Sequence, residues 1–257
     1  MGGRKSMIKS SNVFSNSRYK LSEKELMDKI AVTVINCLHD KHSFSFKGGW
    51  VLSKIYPNDF RRTCDVDMSI INKSIFDDLK VKLEELCENL ISIGEIHNYK
   101  ITEPNPDRKR SGGVKMFRLT PNGIRYKASG LDVSVKDLSK GVSLLKIGIP
   151  IFTFERMMSD KLKVLFSSSC VRRVKDVFDC RLLIDRVELD VDDLKELCKL
   201  SCVNFLNNPN VFSNDLHEDL LLSWEDFLVK DEIRFYKNLD DNLLVIKEWL
   251  KEVDLIV

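Results

Sequence analysis

The residues best suited to chemistry lie in RRTCDVDMSI, residues 61–70. Side chains of a strand alternate faces with period two, so Asp65 and Asp67 point to the same side. Val66, Met68 and Ile70 are read as departing from one simple alternation, as in a central strand buried on both faces. Two carboxylates side by side repel, and a divalent ion relieves them directly. Mg²⁺ takes hard oxygen ligands and keeps waters and substrate phosphates in its shell. The pair therefore suits orienting an NTP better than holding a metal permanently. Asp132, in GLDVSV, is the candidate third carboxylate. From a neighbouring strand it can bridge a second metal and activate an acceptor hydroxyl as nucleophile. It can also be a solvent-facing strand residue. Asp137 is near but sits at the strand exit.

Sixteen residues before Asp65, Gly48 and Gly49 fall between a strand and a helix. Glycines there allow a tight turn and close backbone approach. The helix N-terminus offers unpaired N–H groups to phosphate, Lys47 adds positive charge, and Ser53 adds a hydroxyl. The GxxxxGK[ST] pattern and the dinucleotide fingerprint are both missing. Further cations come from FERMMSDKLKVL, with Lys161, and from RRVKDVFD, with Arg173, Lys175, Asp176 and Asp179. They can face a polyphosphate, with Asp179 orienting Lys175. They can equally be surface ion pairs, Arg172 with Asp176 and Lys175 with Asp179 at i,i+4.

These groups need a sheet with helices beside it. Leu21–Leu38 reads as a helix, because Ser22 and Glu25 make a capping box ahead of helically spaced apolar residues. Ser43–Phe46 reads as a short strand, GGWVLSKIY as a helix, Asp65–Ile71 as a strand and Ser74–Leu90 as an amphipathic helix. Strands are expected at Ile91–Lys100, Gly113–Leu119, Gly123–Lys127 and Leu131–Val135. PNPDRKRSGG is a basic loop. Helices are expected at Glu155–Phe166, Val171–Leu183, Val191–Leu206 and Asn242–Val253. The reading is α+β: a sheet domain with an N-terminal helix over 1–150, then a helical domain over 151–257.

The chain has 257 residues, enough for one large domain or two modest ones. The net charge of +2 hides a split: residues 1–175 carry 32 Lys and Arg against 19 Asp and Glu, and residues 176–257 carry 9 against 20. A basic body attracts polyanions such as NTPs or RNA, although the two halves can also complement each other. The loop Asp107–Lys115 matches an RNA backbone in charge but lacks aromatic residues for base stacking; it reads equally as a solvated loop. The basic N-terminus has no apolar stretch behind it, so it is not a signal peptide, and it forms an arm. No stretch approaches the roughly 18 apolar residues of a membrane span. The seven cysteines are scattered without a CxxC pair, as reduced, mostly buried cytosolic thiols. Cys198 and Cys202 alone have a spacing that occurs in metal sites.

Taken in order, FKGGWVLSKIYPNDFRRTCDVDMSI, GLDVSV, FERMMSDKLKVL and RRVKDVFD resemble the AbiEii/AbiGii-type nucleotidyltransferases, the toxins of bacterial abortive-infection and toxin–antitoxin systems. The resemblance runs from about Phe44 to Leu183. It implies a DNA polymerase β-type nucleotidyltransferase sheet followed by a mainly helical lobe. It carries the family's first motif onto Gly48, Gly49, Asp65 and Asp67, the later acid onto Asp132, the lysine of the second lobe onto Lys161, and the RxKDxxD pattern onto Arg173, Lys175, Asp176 and Asp179. Trp50 and Cys64 stand where the family commonly has small hydroxyl residues. The resemblance further implies Mg²⁺ (or Mn²⁺) held by Asp65, Asp67 and Asp132 and an NTP substrate, while the reduced cysteines point to a cytoplasmic protein. It also implies tRNA 3′ ends as one acceptor and a cognate antitoxin as partner. A protein or small-molecule acceptor, a non-catalytic nucleotide- or partner-binding module, and a metal-dependent nuclease remain open on the residues alone.

Overall fold

The computed structural model describes residues 20–256 apart from 146–147, 168–169, 202, 204–209 and 232. The N-terminal residues 1–19 expected as an arm, Cys202 and the Arg172 side chain lie outside the described residues, and with them the expected Cys198–Cys202 spacing and Arg172–Asp176 pair.

Helix α1 spans Glu23–Cys37 and closes its N-terminus with the capping box: Ser22 Oγ accepts from the Glu25 backbone N–H, and Glu25 accepts from the Ser22 N–H. Strand β1 (Phe44–Lys47) runs straight into α2 (Gly48–Ile55), and β2 (Asp65–Ile70) is followed by α3 (Ser74–Ser92). Then come β3 (Asn98–Thr102), β4 (Gly112–Leu119), β5 (Arg125–Val135), β6 (Val142–Leu144) and β7 (Pro150–Phe152). They form one seven-stranded mixed sheet in the order β3-β4-β5-β2-β1-β7-β6. The helices α4 (Phe154–Leu165), α5 (Lys175–Arg186), α6 (Val191–Leu200), α7 (His217–Lys230) and α8 (Leu239–Glu252) follow.

The acidic strand is central, parallel to β5 and antiparallel to β1. Val66, Met68 and Ile70 share one fully buried face, so the alternation is simpler than the sequence suggests. On that side α1 contributes Leu26, Ile30 and Val34, and α3 contributes Phe76, Leu79 and Leu83. Both faces are covered only at Ser69, whose hydroxyl lies 2.9 Å from that of Ser134. The apolar core continues without a break into the helical lobe.

Several expectations shift. Ile91 and Ser92 end α3 rather than begin a strand; the chain turns at Gly94 (φ 75°) and β3 starts only at Asn98. The two strands expected around residues 123–135 are one, because Gly130 lies within a continuous ladder. Within Val171–Leu183, a 3-10 turn over Cys170–Arg173 precedes α5. α6 stops at Leu200. The strands β6 and β7, three residues each, are too short to show periodicity, and α7 is a helix beyond those expected from the sequence. No helix among the described residues is long and apolar enough to cross a membrane.

Candidate active site

The turn from β1 into α2 sits against the acidic strand. Lys47 is the register partner of Asp67, and Asp67 in turn is level with Asp132 on β5. Paired strands lie about 4.8 Å apart, so the two carboxylates are close neighbours on one face. Asp65 lies one pleat away beside Gly130. Gly48 adopts φ +69°, and a Cβ there would fall 2.6 Å from Asp67 Oδ2. Glycine is thus required both by the turn and by the carboxylate packed on it.

Burial raises the Asp67 pKa; Lys47 opposes the shift, while Asp132 and Asp65 add to it. Burial, with repulsion from Lys136, pushes Lys47 down to about 8. Its ammonium donates to Ser134 Oγ at 2.8 Å and lies over the Phe152 ring. Asp65 is met by Lys127, whose Nζ is 2.6 Å from Oδ1 and 2.7 Å from Oδ2. The contact to Oδ1 is electrostatic only, since that buried oxygen has no hydrogen-bond partner among the described residues.

Facing this strand is the N-terminal half of α5. Asp179 is fully buried and takes a two-pronged contact from Arg61: Nε to Oδ1 and Nη2 to Oδ2, both 2.8 Å. Lys161, also buried, donates to Asp179 Oδ2 and to Asp176 Oδ1, the latter at 3.2 Å. Arg173 Nε reaches Asp176 Oδ2 at 3.0 Å. Burial would raise Asp179, but Arg61 and Lys161 outweigh it and lower it to about 2. For Lys161 burial is likewise outweighed, by Asp179 and then Asp176, and its pKa rises. The expected Lys175–Asp179 pair therefore does not form. Both Asp179 oxygens are taken, and Lys175 is exposed with no ion pair among the described residues.

Two adjoining cavities of about 390 Å³ each lie between these walls. They share Gly49, Arg61, Asp67, Arg173 and Lys175; one also reaches Asp65, Asp132 and Lys127, the other Lys47, Gly48, Lys161 and Asp176. Of the sequence-selected residues, Ser53 is not brought to the cleft. Its hydroxyl donates to the Trp50 carbonyl at 2.7 Å, one turn back in α2. Asp179 is paired beneath the cavities and lines neither of them. Trp50 turns the other way, its Nε1 donating to Asp28 on α1 at 3.2 Å, so no side chain replaces the family's small hydroxyl there. Arg61 and Lys127 were missed. Arg61 precedes Asp65 by four residues, but its partner Asp179 is 118 residues away, and no local pattern links them. A third groove of about 640 Å³ continues past Lys47, Lys136, Asp160 and Lys163. It reaches Lys109 and Arg110 of the basic loop. Asp160 there is spent on Lys136, at 2.8 and 2.9 Å.

The sequence model described as nucleotidyl transferase AbiEii toxin, type IV TA system, matches residues 32–233. The chain belongs to the AbiEii nucleotidyl transferase toxin family. It is accordingly a nucleotidyltransferase-type protein of the polymerase β superfamily. A putative nucleotidyltransferase from Helicobacter pylori has a similar fold, with TM-score 0.56 and 19% identity over 91% of this chain and 98% of that one. JHP933 from the same organism gives TM-score 0.55 and 16% identity over 91% and 92%. No curated protein matches the chain. In this AbiEii-family chain the acidic strand, glycine turn and α5 network thus occupy one cleft. Among its described residues no three His, Cys, Asp or Glu side chains are grouped so that together they could hold a metal ion.

Proposed function

We propose that this AbiEii-family protein transfers a nucleoside monophosphate from an NTP to an acceptor hydroxyl, with a divalent ion, Mg²⁺ or Mn²⁺, at Asp65 and Asp67. One observation carries the reading: Asp67 is half-buried at the floor of the cleft, level with Asp132 on the neighbouring strand, and partial burial and the neighbouring carboxylates raise its pKa. Such crowding is unfavourable unless a cation joins it. The donors fit a hard ion. All are carboxylate oxygens, and buried Asp65 Oδ1 accepts no hydrogen bond among the described residues, although the Lys127 ammonium lies 2.6 Å away. When bound, the ion supplies charge neutralisation for the attacking and leaving oxygens.

The chain's own residues do the rest. Backbone N–H groups at the start of α2, freed by Gly48 and Gly49, receive phosphate oxygens. Exposed Arg173 and Lys175 meet the polyphosphate from the α5 wall. Lys161, Asp176 and Asp179 hold that wall in place rather than touching substrate. Asp132 takes the proton of the acceptor hydroxyl as its oxygen attacks the α-phosphorus. The bond from the α-phosphorus to the bridging oxygen breaks, and pyrophosphate leaves with that electron pair.

RNA is the proposed acceptor class, a tRNA 3′ end being one such hydroxyl. Lys109, Arg110, Lys140 and Lys163 along the adjoining groove suit phosphodiesters. A cognate antitoxin is the proposed partner, since the family is one of toxins paired with antitoxins. The test is to incubate the protein with Mg²⁺, total RNA and each α-³²P-NTP in turn, with D67N as control. A labelled RNA band absent in D67N is the expected result and names base and acceptor. Label that persists in D67N sinks the assignment of Asp67. Shortened RNA without NTP would make the protein a nuclease.

A further inference from the structure

We propose that Lys127 is a built-in counter-ion of Asp65 that keeps a metal-coordinating position closed until nucleotide enters, so that the metal arrives with the triphosphate rather than ahead of it. The inference rests on the metal reading above.

Strict alternation would not place Lys127 here. Counting back along β5 from Asp132, even-numbered residues face the cleft, so residue 127 belongs on the core side. The ladder with β4 slips at this point: Ser129 pairs with Met116 but Lys127 pairs with Phe117, leaving Ala128 as an extra residue. This bulge resets the parity and turns Lys127 into the cleft, as bulges beside active sites do. The side chain then crosses Gly130. A Cβ at Gly130 would lie 3.3 Å from Lys127 Cε and 3.0 Å from Asp65 Oδ1. Bulge and glycine together make a passage for one ammonium onto one carboxylate.

The ammonium lies within 2.7 Å of both Asp65 oxygens. A divalent ion cannot use those oxygens at the same time, because two cations at that spacing repel strongly. A free metal ion must displace Lys127 unaided. A metal–triphosphate complex brings anionic oxygens that receive the displaced ammonium, while Arg173 and Lys175 attract its phosphates.

Mn²⁺ binding is measured by the loss of the free-ion EPR signal for wild type, K127Q, K127M and K127R, each with and without a non-hydrolysable NTP analogue. Thermal melts verify folding. Without nucleotide, K127Q and K127M should bind Mn²⁺ at least about tenfold tighter than wild type. K127R should match wild type. With the analogue the gap should shrink. If the neutral variants bind Mn²⁺ no tighter than wild type, and D67N still abolishes binding, Lys127 is only a structural partner and the proposal falls while the metal reading stands. If D67N leaves Mn²⁺ binding untouched, or no protein binds Mn²⁺ even with nucleotide, the metal reading falls and takes the proposal with it.

Discussion

Asp176 and Asp179 on α5 are met by Arg61, Lys161 and Arg173 within 3.2 Å. Across the cleft, Asp65, Asp67 and Asp132 on the sheet have one ion pair among the described residues, Asp65 with Lys127. Both groups come from short acidic motifs, and in the sequence they look alike. In the fold their neighbours move their pKa values apart: Asp179 is lowered to about 2, whereas Asp67 is raised. Carboxylates whose charge is answered inside the protein hold the lobes together. Carboxylates crowded with fewer cations beside them are the ones the proposed metal would join. The contrast separates architecture from chemistry better than motif membership does.

The largest effect should fall on the open group. D67N removes a ligand of the proposed metal. Transition-state charge stabilisation by metal is worth several kcal/mol, so transfer should drop by at least about a thousandfold. Labelled-NTP incorporation measures it, with circular dichroism expected to show an unchanged fold. A D67N protein with wild-type rates would place Asp67 with the architecture.

Next is the closed group. D179N leaves Arg61 and Lys161 buried without their shared carboxylate. Breaking such a pair costs about 3–5 kcal/mol. Urea unfolding should show that loss, and a midpoint within error of wild type would show that the network holds nothing together. The same group predicts an acid limit. A depressed Asp179 contributes stability above the unfolded carboxylate value of about 4 and loses it as pH falls toward about 2. The acid transition of wild type should lie in that window, and D179N should be insensitive to it.

Gly48→Ala tests the seam between the turn and the open group. A left-handed residue with a Cβ costs about 1–2 kcal/mol, and the contact of 2.6 Å forces Asp67 aside. Nucleotide transfer should fall by more than the stability loss explains. Equal losses would mean that Asp67 needs no exact placement.

The smallest effect has the opposite sign. Because Asp67 is raised by burial, its ionised form strains the apo fold. That penalty is absent at low pH and grows as pH rises through its folded pKa. D67N should therefore stabilise the apo protein at pH 7 by about 1 kcal/mol and give no gain near pH 3. A destabilised D67N would break the contrast between the two groups.

What the sequence determined by itself is local. Ser22 and Glu25 three residues apart dictate the start of α1, because a capping box needs only one turn. The DVD alternation puts Asp65 and Asp67 on one face, because the pleat repeats every two residues. Gly48 and Gly49 mark the strand-to-helix turn. Tertiary structure decided the rest. It put Arg61 on Asp179, although the spacing within RRVKDVFD favoured Lys175, because the guanidinium fork arrives from another lobe. Ser53 turned back to its own helix, since a hydroxyl one turn from a carbonyl finds it without leaving α2. Lys127 reached the cleft through a bulge whose extra residue is visible only against the partner strand. A short motif can name the groups that can react, but the charge each one faces comes from residues far along the chain, and folding alone brings those together.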